Sequence, residues 1–247
     1  MKNVLLLGLM TAFTMLLSAC FLPDEQRAEN QVPYPDQLEA VQQAVNQFQA
    51  DTGVLPIKTR DANTVVYQRY PVDFNQLVPR YIQQPPGNSF ENGGVFQYVL
   101  VNVDKAPEIK LIDLRPLEEI QRLQQRLNQY MREHTYAPVD EILDVGLFTL
   151  DYEALNYREA PLVPSPYHDT YLPLLLTNGG DIVIDYRTDL NILLQESDVE
   201  VEPGEDIRDL LVERSPFVPA FSIPYSINEQ GEPVYDMSLP NVYENNE

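Results

Sequence analysis

Two stretches of this chain place a carboxylate two residues before a guanidinium at the end of an apolar run: Ile112-Asp113-Leu114-Arg115 and Ile184-Asp185-Tyr186-Arg187. An Asp and an Arg at that spacing can form a charge-assisted pair that fixes a strand-to-helix junction. The same Asp residues could instead serve as a carboxylate pair for general acid-base work. Asp113, Arg115, Asp185 and Arg187 are therefore the candidate binding residues. The histidines offer less, since only His134 and His168 occur. Ser165-Pro166-Tyr167-His168-Asp169 holds the residue types of a hydrolytic triad, but triad members converge from separate segments, and no Gly-x-Ser-x-Gly elbow is present. His168 reads as a turn residue. No His-x-x-x-His pair, glycine-rich phosphate loop or dinucleotide fingerprint occurs, and the sequence holds only ten glycines. No cofactor, metal or catalytic residue is expected, and the chain is not expected to be an enzyme.

The remaining reactive group is Cys20, the one cysteine. Lys2 precedes an apolar run from Val4 to Ser18, and Leu17-Ser18-Ala19-Cys20 closes it with small residues before the thiol. A spanning helix needs about 20 apolar residues, more than this run supplies. The pattern resembles the lipobox of bacterial lipoproteins. That resemblance implies cleavage before Cys20 and a diacylglyceryl group on its thiol, with palmitate-class acyl chains holding the mature protein on the outer face of the cell membrane. The thiol is then a tether, and the mature chain has no disulfide framework.

The chain carries 38 Asp and Glu against 16 Lys and Arg, a formal net charge of −22, and loss of Lys2 with the signal makes it one unit more negative. Such a surface repels nucleic acid and anionic headgroups. A nucleic-acid role is excluded on that ground, and the bland reading of the charge is a solvated exterior.

Residues 1–19 thus read as a signal peptide and 20–33 as lipidated Cys and flexible tether, whose stretch from Phe21 to Val32 reaches at most about 40 Å. A first helix is announced by Pro35-Asp36 with Glu39, and carries Leu38, Val41, Val45 and Phe48 on one face before Gly53 stops it. A second begins at Pro116, with Leu117, Ile120, Leu123, Leu127 and Tyr130 as its stripe. Between them Pro85-Pro86-Gly87-Asn88 marks a turn, and residues 95–101 and 109–114 read as paired strands.

Laying the second half on the first suggests a tandem duplication. Asn46-Gln47-Phe48 recurs as Asn128-Gln129-Tyr130 and Val54-Leu55-Pro56 as Tyr136-Ala137-Pro138 at an offset of 82; Asp73-Phe74 recurs as Asp151-Tyr152 after 78, and Asp113 as Asp185 after 72. The expected fold is α+β: two tandem related units, residues 34–115 and 116–195, each a helix packed on a small antiparallel sheet. Residues 196–247 follow as an acidic helix and a C-terminal strap and hairpin, with proline barring Pro216 to Tyr225 from a central strand.

Each unit locally resembles the soluble domain of a type II secretion pseudopilin, with helix, proline-rich stretch and strands in order over Phe48 to Tyr98, although a lipobox stands where a prepilin site would. Over nearly the whole chain, Pro85-Pro86-Gly87-Asn88, Gly94-Val95-Phe96-Gln97-Tyr98-Val99-Leu100, Ile184-Asp185-Tyr186-Arg187 and Ser215-Pro216-Phe217-Val218-Pro219-Ala220 resemble a YphF-like lipoprotein family of Bacillus-type bacteria. The resemblance implies a cell-envelope lipoprotein. The leading expectation is a non-enzymatic binding or scaffold protein with an envelope protein or surface polymer as partner. The alternative is a solute-binding lipoprotein of an ABC importer, and the third a carboxylate-based envelope enzyme.

Overall fold

The computed structural model describes residues 35–61, 63–196, 199 and 201–241. The signal segment, Cys20, the tether and residues 242–247 lie outside the described residues. The protein is α+β, with small antiparallel sheets and a few helices. Among the described residues no helix is long and apolar enough to cross a membrane.

Helix α1 (Pro35–Thr52) forms because its apolar residues recur at helical spacing, and it buries Val41, Ala44, Val45 and Phe48. It ends at Gly53, whose φ of +77° lets its N–H reach back to Gln49 O at 2.8 Å. A single turn, α2 (Phe74–Leu77), follows, capped by Asp73, which accepts from Asn75 N–H. Strands β1 (Phe96–Val101) and β2 (Glu108–Asp113) then pair antiparallel from Phe96 opposite Asp113 to Val101 opposite Glu108. Outside β1 runs the segment around Val72, whose N–H donates to Tyr98 O, and beyond it Ile57 bridges Val72. The sheet of the first unit is thus ordered Ile57, Val72, β1, β2.

Helix α3 (Leu117–His134) has the same length as α1, 18 residues, and starts 82 positions later. Ile120, Leu123 and Leu127 are its buried face. It closes in the same way, with Thr135 at φ +65° donating its N–H to Met131 O at 2.8 Å. Strands β3 (Val139–Asp144), β4 (Leu147–Leu150) and β6 (Tyr171–Thr177) follow in one sheet, with β5 (Leu162–Pro164) and β7 (Ile182–Ile184) also on β6. The path β3, β4, β6, β7 repeats that of the first unit. Two corner hydrogen bonds repeat with it. Asp73 N–H donates to Pro56 O and Asp151 N–H to Pro138 O, each at 2.8 Å.

Helix α4 (Arg187–Glu196), the short α5 (Asp209–Glu213) and the hairpin of β8 (Tyr225–Ile227) and β9 (Pro233–Tyr235) complete the chain. The proline-rich segment between α5 and β8 runs along both units. Leu111 N–H donates to Pro216 O and Val218 N–H to Leu111 O; farther on, Ile184 N–H donates to Phe221 O at 2.8 Å. It therefore satisfies the outer edges of β2 and β7 in turn, while Phe217 packs its ring 5.4 Å from Phe96. One apolar core lies between α1 and β1–β2, a second around α3, β6, β7 and α4. Tyr167 packs against both.

Candidate functional site

The two Asp-x-Arg motifs stand at the junctions from β2 into α3 and from β7 into α4. Asp113 is buried, and its Oδ1 accepts from the Arg115 N–H at 3.0 Å, while both oxygens take the Arg115 side chain, Nη2 to Oδ2 at 2.6 Å. That side-chain bond holds the guanidinium above its ordinary value, against the opposing effect of burial. Asp185 is also buried and accepts from the Arg187 N–H at 3.0 Å, but its remaining partners are tyrosines: Tyr225 OH at 3.3 Å on Oδ1 and Tyr235 OH at 2.8 Å on Oδ2. Arg187 is left at 3.5 Å from Oδ2 and lies over the Tyr235 ring. Each carboxylate thus ties a strand end to the first turn of a helix.

A third such corner went unread in the sequence, inside the acidic stretch from Glu196 to Asp209. Asp206 accepts from Arg208 N–H at 3.1 Å and from its Nη2 at 2.6 Å, just before α5. Arg208 is fully buried, and its other nitrogen donates to Ser222 Oγ and to Asn241 Oδ1. The Asp-x-Arg spacing was the available signal, masked by the surrounding acids.

Ser165 and His168 meet, but through an aspartate from another element. Asp189, in the first turn of α4, is fully buried; its Oδ2 accepts from Ser165 Oγ at 2.8 Å, and His168 Nδ1 lies 2.8 Å from its Oδ1. Ser165 Oγ also accepts from Tyr167 N–H and His168 N–H. The serine hydroxyl faces the carboxylate and not an imidazole base, so the arrangement clamps a turn and lacks the nucleophile-base contact of acyl transfer. Burial pushes the Asp189 carboxyl up, and the hydrogen bonds from His168 and Ser165 only partly oppose this. The clamp presents Tyr167 between the two cores, edge-on to Tyr186 at 5.8 Å, with its hydroxyl buried and without a hydrogen-bond partner among the described residues. Burial, then the negative charge of Asp113 and Asp189, raises Tyr186 far above the ordinary tyrosine value.

Several clefts lie around this framework, one of about 300 Å³ lined by Arg187, Thr188, Asn191, Glu232 and Pro233. Another, of about 290 Å³, is lined by Asp104, Glu108, Asp206, Asp209 and Glu213 beside Tyr67 and Lys105. Among the described residues no group of three or more His, Cys, Asp or Glu is arranged to hold a metal ion. A larger cleft, about 560 Å³, falls in the range of about 300–1,000 Å³ usual for ligand sites. Val65 and Gln68 of the first unit form one wall. Ile120, Ile182 and Val183 line the cleft with Phe221 and Ile223 of the proline-rich segment, as do the amides of Asn178 and of Gln124 and Asn241, the last two already hydrogen-bonded within the chain. Asp181 is the one charged residue among its described lining residues, which include no Lys or Arg. The candidate residues Asp113, Arg115, Asp185 and Arg187 do not line it either; they hold the strands and helices that shape it.

Residues 34–113 match the family model described as the YphF family N-terminal domain, which supports a YphF-like family and spans the chain from α1 to the end of β2. No curated protein matches the chain, and no solved structure does.

Proposed function

We propose that this chain is an extracytoplasmic lipoprotein, anchored to the cell membrane through Cys20, that serves as a non-enzymatic binding or scaffold protein of the cell envelope. The observation that carries the reading is the 560 Å³ cleft, to which the first unit, the second unit and the proline-rich segment all contribute walls. Apolar side chains with amides and the single carboxylate of Asp181 suit a segment of protein or of a surface polymer that carries no negative charge, bound by apolar burial and oriented by a few hydrogen bonds. The carboxylates that could have served acid-base chemistry are engaged with neighbouring backbone N–H, Arg or Tyr groups, which supports a structural role for them. The lipobox residues Leu17 to Cys20 supply the address.

Photo-crosslinking in intact cells tests the reading. A benzophenone side chain at position 68, in the cleft wall, should give a reproducible adduct of defined mass, while the same group at position 46, on the exposed face of α1, should not. The adduct should be lost when Cys20→Ser releases the protein from the membrane. Identical adducts at the two positions would overturn binding at the cleft.

A further inference from the structure

Strand β3 is the outermost strand of its sheet, and no described residue pairs with its free edge. Free edges are normally blunted because their unpaired N–H and C=O groups recruit other strands. This one carries acids and two register shifts against β4, yet it exposes apolar side chains: Val139 is 40% exposed, Ile142 75% and Val145, at the tip, 84%. Asp140, Glu141 and Asp144 lie between them, and no Lys or Arg occurs from Tyr136 to Tyr157.

In the first unit the connection that follows the corresponding segment is covered. Ile57 bridges Val72 there as Val139 pairs with Leu150 in the second unit. Beyond Ile57 the connection is longer, and it docks on the chain's own C-terminal part: Val66 N–H donates to Asn241 O, and the buried Tyr67 donates its hydroxyl to Asp209. The connection after β3 is cut to the tight turn at Val145 and Gly146, and its apolar residues remain in solvent.

We propose that β3 is a docking edge that takes an extended, basic strand of a partner protein, extending the sheet by one strand. The proposal deepens the binding reading above and rests on it. Main-chain hydrogen bonds would supply affinity, β-branched residues of the partner would cover Val139 and Ile142, and Lys or Arg residues would meet Asp140, Glu141 and Asp144. The charge excludes a second copy of this chain as the occupant, because two such edges would set acid against acid.

A fluorescein-labelled nine-residue peptide of alternating lysine and valine is the probe, titrated by anisotropy against the full lipidated chain in a non-ionic detergent. The wild type should bind it. A peptide of alternating glutamate and valine should not bind, nor should the lysine peptide with alternate backbone amides N-methylated. Ile142→Lys and the double variant Asp140→Lys, Glu141→Lys should each weaken binding at least tenfold with an unchanged melting temperature. Equal binding of the N-methylated peptide, or no effect of either variant, would show diffuse attraction to an acidic surface and overturn the proposal, as would dimerisation abolished by Ile142→Lys. A benzophenone at position 142 separates the two readings in cells. An adduct at 68 with none at 142 overturns the edge alone, whereas none at either position overturns the binding reading as well.

Discussion

Gln42 and Gln124, 82 residues apart, grip the second strand of their units' hairpins in the same way. Gln42 Nε2 donates to Pro107 O at 3.0 Å while its Oε1 accepts from Ile109 N–H at 2.7 Å; Gln124 Nε2 donates to Gly180 O at 2.9 Å while its Oε1 accepts from Ile182 N–H at 3.2 Å. A side-chain amide can satisfy a donor and an acceptor of one strand end together, so each glutamine locks its helix to its sheet. Gln42→Ala and Gln124→Ala should each destabilise by about 1–3 kcal/mol, since each leaves an N–H and a C=O unpaired. Urea unfolding of the single variants measures this. Values near zero would mean that water replaces the amides at no loss.

Equivalent helix positions need not be equivalent in energy. Phe48 is buried against Tyr81 at 5.4 Å between ring centres, whereas Tyr130 is half-buried and lies against His134 and Tyr136 near the end of α3. Phe48→Ala should cost about 3–5 kcal/mol. Tyr130→Ala should cost clearly less, and denaturant midpoints in the reverse order would contradict the burial difference.

The turn after Pro85-Pro86-Gly87 depends on one glycine. A Cβ on Gly94 would overlap the carbonyl carbon and oxygen of Asn88, and Gly94 N–H donates to Ser89 O at 2.8 Å. Both neighbours are backbone and cannot rotate away. Gly94→Ala should therefore lower stability by at least about 1–3 kcal/mol, as overpacked sites do, and a calorimetric melt at the wild-type temperature would refute this.

The Asp189 clamp should make stability depend on acid in a defined direction. Its carboxyl titrates above the ordinary 3.8 in the folded protein, so folding favours its protonated form. Its contribution is fully present below the unfolded value and is lost as pH rises through the raised folded value. Relative to Asp189→Asn, which cannot titrate, the wild type should gain stability as pH falls from neutral toward 4. Paired melting curves that diverge in the opposite sense would contradict a carboxylate whose burial outweighs its hydrogen bonds.

Helices α1 and α3 were legible because their apolar stripes are uninterrupted, and the β1–β2 pair because aromatic and β-branched residues crowd residues 95–101. Strand β3 was not. Its pairing shifts register between Val139 and Ile142 and again before Asp144, which breaks the period-two alternation that marks a strand. Asp189 carries no signal of its own in the sequence, and only the fold brings Ser165 and His168 onto it. The repeat also drifts where the sequence offset hides it: four residues separate Ile109 from Asp113, but three separate Ile182 from Asp185. The Asp-x-Arg corners keep their backbone hydrogen bond, yet Asp113 takes its own arginine bidentately and Asp185 two tyrosines, a difference that depends on the distant hairpin of β8 and β9.

The anchor is the part of the account on which an envelope role depends most directly. Cells fed an alkyne fatty acid, then lysed and separated into membrane and soluble fractions, should show the wild-type chain labelled and in the membrane fraction. Cys20→Ser should be unlabelled and released. A wild-type chain that carries no label, or a Cys20→Ser variant that keeps it, would contradict the account.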